Sequence, residues 1–102
     1  MKSLHQLQQE LTALEATAAE IRAKAYIRYP APFVLDTATI KSKLYHRKRP
    51  RLVDGKLGKP EYISSQHYAE LVVELKNGRL LHKVEKQSSK LVSRIDRITG
   101  GS

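Results

Sequence analysis

Apolar residues recur along the first quarter of the chain with alternating spacings of three and four. This spacing predicts an amphipathic helix over residues 3–25, with Ser3 as its N-cap. So strict a heptad repeat is typical of coiled-coil helices, and it indicates either a homodimer through this helix or docking on the chain's own core. The predicted dimer interface consists of Leu4, Leu7, Leu11, Leu14, Ala18 and Ile21.

Two prolines, at positions 30 and 32, follow this helix. Proline cannot continue a helix, and it pushes the preceding residue into extended backbone, so a connector is predicted here. Apolar and polar positions then alternate over residues 33–46, which is typical of a strand with one buried face. The outward face of this strand is predicted to carry Lys41, Lys43 and Tyr45, and Arg47 continues that face.

A basic loop is predicted over residues 47–60, immediately after this strand. Asp54-Gly55 and Gly58 are turn-forming residues, and they indicate a loop or a loose hairpin tip. A flexible basic loop beside a basic strand face has a suitable geometry for following a phosphate backbone.

The pattern over residues 66–86 fits two different structures. Asn77-Gly78 separates two apolar-rich runs, and this dipeptide is the strongest short signal for a two-residue β-hairpin loop. We favour the hairpin because the apolar residues of both arms then share one face. Residues 61–63 are a candidate extension of its first arm. The alternative is a helix that begins at Ser65 and has Asn77-Gly78 as its C-cap.

A short C-terminal helix is predicted over residues 88–99, with Ser88 or Ser89 as its cap, followed by a disordered tail at residues 100–102. The 102 residues suffice for one domain. The predicted fold is therefore α+β. It consists of the N-terminal heptad-patterned helix, an antiparallel β-meander of three to four strands within residues 26–87, and the short C-terminal helix.

Charge is concentrated between positions 41 and 59, where eight basic residues accompany one acid, in a chain with a net charge of +9 and a pI of about 10.0. Such an excess favours an anionic partner, and in a small basic domain it favours nucleic acid ahead of a membrane surface. Tyr45 and the nearby Tyr62 are suited to stacking on bases. The predicted nucleic-acid-binding residues are Lys41, Lys43, Tyr45, His46, Arg47, Lys48, Arg49, Arg51, Lys56 and Lys59. A second basic face is predicted on the last helix, at Lys90, Arg94 and Arg97.

Other kinds of chemistry have little support in the sequence. The chain has no cysteine, its four histidines lack metal-ligand spacing, and it contains no phosphate-binding loop or catalytic motif. We therefore expect a non-enzymatic protein without a metal or cofactor, with His82 on the apolar hairpin face and Glu70, Glu74 and Glu85 solvated. Neither a signal peptide nor an apolar run near the ~18 residues of a membrane span is present, which predicts a soluble, cytoplasmic protein without a membrane partner.

The sequence thus leads to two functional hypotheses. The first is binding to the phosphate backbone of DNA or RNA with little sequence specificity. The alternative is a protein-interaction module that self-associates through the N-terminal helix and docks on an acidic partner.

Overall fold

The first helix begins where its sequence signals place it. A computed structural model describes residues 2–100, and in it helix α1 spans Leu4–Arg22. The Ser3 hydroxyl accepts a hydrogen bond from the Gln6 N–H, and the Gln6 side chain accepts one from the Ser3 N–H. This reciprocal pair is a capping box, which satisfies two backbone donors that the helix leaves free. The predicted helix and its cap are confirmed, although the helix ends at Arg22 rather than at residue 25.

The region predicted as one strand over residues 33–46 is two strands. Strand β1 spans Phe33–Ile40 and strand β2 spans Lys43–Pro50, and they pair antiparallel with Ile40 opposite Lys43. Lys41 and Ser42 form the tight turn between them, with φ angles of 50° and 66°. A type I′ hairpin turn requires positive φ at both central residues, and these positions are usually occupied by Asn and Gly. Because Lys-Ser is an unusual choice, this turn could not be recognised from its residues.

Strand β3, Glu61–Ile63, completes a three-stranded antiparallel sheet in the order β1-β2-β3. Tyr62 lies opposite Arg47, so β3 pairs with β2. Residues 61–63 are therefore a strand, but they do not extend a hairpin formed by residues 66–86.

The hairpin interpretation of residues 66–86 is wrong. Helix α2 runs without interruption over Ser65–Ile98, which is 34 residues, and Ser64 caps it by accepting a hydrogen bond from the His67 N–H at 3.1 Å. The alternative start at Ser65 is correct, but the helix does not end at Asn77-Gly78. The predicted short helix over residues 88–99 is the last part of α2, so Ser88 and Ser89 lie in its interior rather than at a cap.

The connector between α1 and β1, residues 23–32, crosses α2 at Asn77 and Gly78. The Asn77 side-chain amide donates to the Ala25 carbonyl at 3.0 Å, and the Ile27 N–H donates to the Glu74 carbonyl at the same distance. A Cβ atom on Gly78 would lie 1.6 Å from the Ile27 carbonyl oxygen. Glycine is therefore required at this position by the close approach of two backbones, not by a turn.

Helices α1 and α2 pack antiparallel, because the end of α1 meets the middle of α2 and Leu7, near its start, lies beside Arg94 and Ile98, near the end of α2. Arg22 donates to Glu85 at 2.9 Å. The buried cluster beside this ion pair consists of Ala18, Ile21, Leu81 and Val84, with Leu14 and Tyr26 packed against it. Leu7 is buried as well, with 1% of its surface exposed. The apolar seam of α1 thus contacts α2 of the same chain.

The sheet packs beside the N-terminal part of α2, where the His46 and Tyr68 rings lie 4.6 Å apart. The molecule is elongated, with extents of 63 × 29 × 22 Å and a radius of gyration of 19.3 Å. A spherical domain of 100 residues would have a radius of gyration of about 13 Å. The predicted α+β arrangement of helix, three-stranded antiparallel sheet and helix is confirmed. Of the predicted tail, residues 101 and 102 lie outside the described residues.

A helix that crosses a bilayer must be both long and apolar. Within residues 2–100, no helix combines the length and the apolar character needed to cross a bilayer.

Candidate functional site

The pairing of the strands assigns each side chain to one of two sheet faces. Residues directly opposite each other in an antiparallel pair project to the same side of the sheet. The face that we call the open face is turned away from α2 and carries Val34, Asp36, Ala38, Ile40, Lys43, Tyr45, Arg47, Arg49 and Tyr62. The covered face is turned toward α2 and carries Phe33, Leu35, His46, Lys48 and Ile63.

An ion pair between Asp36 and Arg47 lies at the centre of the open face. The Arg47 Nε and one terminal nitrogen donate to the two Asp36 carboxylate oxygens, each at 2.8 Å. This bidentate geometry is the strongest arrangement for an arginine and a carboxylate. Arg49 is also close to the carboxylate, with 3.9 Å between the nearest nitrogen and oxygen. One acid therefore engages two of the arginines that were predicted to bind nucleic acid.

The ion pair shifts the titration of both partners. The pKa of Asp36 is lowered, chiefly because Arg47 donates to the carboxylate, while partial burial opposes the shift. The pKa of Arg47 is raised, chiefly because Asp36 accepts its hydrogen bonds, and the neighbouring Tyr62 hydroxyl adds to the effect. The two hydrogen bonds to Asp36 hold the Arg47 guanidinium in a fixed orientation on the sheet.

Asp36→Asn should remove a pH-dependent contribution to stability. A carboxyl with a lowered folded pKa stabilises the fold fully above its unfolded pKa of about 3.9 and loses that effect as the pH falls through the folded value. The natural protein should therefore be modestly more stable than the variant at neutral pH, and the difference should close below about pH 4. Urea unfolding followed by circular dichroism across this range tests it, with Asp96→Asn as a control. A difference that stays constant with pH would contradict the assignment.

Two tyrosines lie beside this ion pair on the open face. The rings of Tyr45 and Tyr62 are 5.7 Å apart and nearly perpendicular, at 76°. The Lys43 ammonium lies over the Tyr45 ring, 5.7 Å from its centroid. Tyr62 is 55% exposed. The open face thus combines aromatic surface with positive charge.

The predicted basic loop is shorter and better ordered than expected. Residues 47–50 belong to β2, and the remaining residues 51–60, which we call the basic loop, form a small hydrogen-bonded hairpin. The Leu52 N–H donates to the Lys56 carbonyl at 2.8 Å, and the Gly58 N–H donates to the Pro50 carbonyl at 2.7 Å. Gly55, with a φ of 85°, forms the tip. These bonds hold the backbone of Lys56 and of Gly58, which precedes Lys59, in place.

The structure divides the ten predicted binding residues into three groups. On the covered face are His46, whose ring packs on Tyr68, and Lys48, whose ammonium lies 4.5 Å from the centre of the Phe33 ring. Partly buried on the open face are Tyr45 and the two arginines near Asp36. The remaining five are exposed, in the β1–β2 turn, at the start of β2 and in the basic loop: Lys41, Lys43, Arg51, Lys56 and Lys59. Tyr62 joins the site through the pairing of β3 with β2, which the sequence analysis did not predict.

The second predicted basic face is not part of this site. Lys90, Arg94 and Arg97 are exposed near the C-terminal end of α2. Arg94 follows Tyr68, which contacts the sheet, by 26 positions in the same helix. A helix rises by about 1.5 Å per residue, so roughly 39 Å separates the two basic regions along the axis.

The acidic and histidine side chains are dispersed. His82 does not lie on a hairpin face; it lies on α2, with its ring 4.8 Å from that of Tyr29. Glu85 pairs with Arg22 and with Arg28, at 2.9 and 3.7 Å. In the part of the chain that the structure describes, no three His, Asp or Glu side chains are grouped closely enough to hold a metal ion.

These features define a small, elongated α+β protein with a cationic, aromatic sheet face. Comparisons with protein-family models, curated proteins and solved structures find no match to this chain.

Proposed function

We propose that this protein binds the phosphate backbone of nucleic acid through the open face and the basic loop, with little sequence readout. The observation that supports this most directly is the set of five exposed cations at this sheet. Among residues 2–100, none of the five has a carboxylate oxygen within 4.0 Å. Their charge is therefore available to an external anion.

The arrangement of the basic residues along β2 suits a linear polyanion. Lys43, Arg47 and Arg49 project from the same face, and alternate residues of a strand are about 7 Å apart. The row from Lys43 to Arg49 thus extends for roughly 20 Å, and the basic loop continues it. A row of cations on one exposed surface neutralises successive phosphates, whereas base-specific contacts require side chains shaped to base edges.

Fluorescence anisotropy with labelled DNA and RNA oligonucleotides tests the proposal. If the five exposed cations contact duplex DNA phosphates, the slope of log affinity against log salt should be about −4.5 between roughly 50 and 200 mM salt. Absence of saturable binding at the lower salt concentration would overturn the proposal. The basic loop would then be assigned to an acidic protein partner instead.

A fourfold variant tests whether the proposed surface carries the binding. Replacing Lys43, Arg51, Lys56 and Lys59 with Ala should weaken binding to all sequences and make the duplex salt slope less negative by about 3 to 4. The matched control replaces four exposed lysines outside the sheet and basic loop, Lys24, Lys76, Lys83 and Lys86. Equal losses in the two variants would mean that net charge, rather than this surface, determines binding.

Asp36→Asn should have the opposite effect on affinity. Removal of the carboxylate releases Arg47 and Arg49, which then become available to phosphates. The variant should bind more tightly than the natural protein, with a duplex salt slope more negative by about 1 to 2. Weaker binding by this variant would show that the ion pair orients Arg47 for the ligand rather than competing with it.

The alternative, a module that self-associates through its N-terminal helix, has less support. Leu7, Ala18 and Ile21 are buried in the single chain, and Ala18 and Ile21 pack with Leu81 and Val84 of α2. Self-association through these positions would have to replace contacts that the chain already makes.

A further inference from the structure

We propose that the open face prefers single-stranded to double-stranded nucleic acid, with Tyr62 as the surface on which a base stacks. This inference rests on the proposed function and names its ligand class. It is carried by the placement of an exposed aromatic ring on the edge strand β3, beside the basic residues of β2, on a sheet face that no helix covers in residues 2–100.

Tyr62 lies where a base and its flanking phosphates could be contacted together. It projects from β3 directly opposite Arg47, and more than half of its surface, 55%, is exposed. Tyr62 is therefore an exposed tyrosine at the edge of a basic sheet face. Aromatic rings on such faces bind nucleic acid by stacking, which tolerates any base because every base has a π-face.

Tyr45 supports this ring rather than offering a second equal one. It is more buried than Tyr62, its ring is perpendicular to that of Tyr62, and the Lys43 ammonium lies over it. Arg47 lies beside the Tyr62 hydroxyl and is itself fixed by Asp36. Tyr62 is thus oriented from two sides.

Whether the bases are already stacked on one another determines which nucleic acid can place a base on the Tyr62 ring. In a duplex, each base is stacked on its neighbours and only its edges face the grooves, so a tyrosine on a sheet surface reaches phosphates but not base faces. In a single strand, a base can be turned out onto the ring while its flanking phosphates contact Lys43 and the other exposed cations. The cations therefore serve both ligands, whereas Tyr62 serves only the single strand.

The test compares a single strand with the duplex of the same sequence, using labelled oligonucleotides and three variants. Tyr62→Ala should weaken single-strand binding by about tenfold, within the range measured for one stacked base, and leave duplex binding unchanged. Tyr62→Phe keeps the ring and should retain single-strand affinity. Tyr29→Ala removes a comparably exposed tyrosine, 48% exposed, that packs on His82 away from the open face, and should change neither affinity.

The outcomes separate this inference from the function on which it rests. If the natural protein binds both ligands equally and Tyr62→Ala weakens neither, the single-strand preference is overturned while backbone binding remains. Equal losses for both ligands would also overturn it, since they would indicate a general disturbance of the sheet. If no nucleic acid binds at low salt, the proposed function itself fails. Thermal unfolding of each variant establishes that it is folded.

Discussion

Replacing Gly78 with Ala should lower the free energy of unfolding by about 3 kcal/mol or more, the range of severe overpacking. The direction of this change in stability distinguishes a helix that the connector crosses closely from one that nothing crosses. In the interior of an ordinary helix, Ala is more stable than Gly by about 1 kcal/mol, so the same substitution would stabilise α2 if nothing crossed it. The added Cβ would instead lie 1.6 Å from the Ile27 carbonyl oxygen and 2.7 Å from the carbonyl carbon.

The clash cannot be relieved by rotating a side chain, because both atoms that it meets are backbone. Moving the connector away from α2 would break the hydrogen bond from the Ile27 N–H to the Glu74 carbonyl and the one from Asn77 to the Ala25 carbonyl. The connector also joins α1 to the sheet, so its displacement disturbs the packing on both sides. The cost is therefore spread over several contacts.

Thermal and urea unfolding followed by circular dichroism measure this effect. A loss of 3 kcal/mol should lower the melting temperature by about 10 to 20 °C in a domain of this size. Lys83→Ala, at an exposed position of the same helix, serves as the control and should change stability by no more than about 0.5 kcal/mol. A Gly78→Ala variant as stable as the natural protein would show that the connector does not cross α2 closely.

The same dipeptide explains why the hairpin prediction for residues 66–86 is wrong. Asn77-Gly78 is a strong local signal, but the apolar positions on either side continue one helical pattern through it. Leu71 and Leu75 before the dipeptide are followed at helical spacing by Gly78, Leu81 and Val84. Leu81 and Val84 of this continuous face pack on α1, and these tertiary contacts outweigh the two-residue signal.

The open face was predicted only in part. Alternation along the strand correctly placed Lys43, Tyr45 and Arg47 on one side, since that depends only on the period of two. It was wrong for Lys41, which was predicted on the same face but lies in the turn. The Asp36–Arg47 pair could not be predicted, because it depends on which residues form the turn. A tight turn at Lys41-Ser42 aligns them, and each is displaced from the turn by the same number of residues. A count of basic residues therefore overstates the number of cations without a carboxylate partner, because it includes Arg47 and Arg49.

Replacing Leu81 with Ala should also destabilise the protein severely, by about 3 kcal/mol, because it leaves a cavity between the two helices. Leu81 is only 2% exposed and lies in the cluster with Ala18, Ile21 and Val84. The adjacent Leu80 has the same side chain but is 45% exposed. Leu80→Ala is thus a matched control, and it should cost less than about 1 kcal/mol.

Carried out at several protein concentrations, this experiment also distinguishes the two roles considered for the apolar seam of α1. If α1 packs on α2 of its own chain, the melting temperatures of the natural protein and of the Leu81→Ala variant do not depend on concentration. If the helices pair between chains, unfolding is coupled to dissociation and both melting temperatures rise with concentration. We expect no dependence, since Leu7, Ala18, Ile21 and Leu81 are buried within one chain. A concentration-dependent transition, with a dimeric mass by light scattering, would assign the seam to a dimer instead.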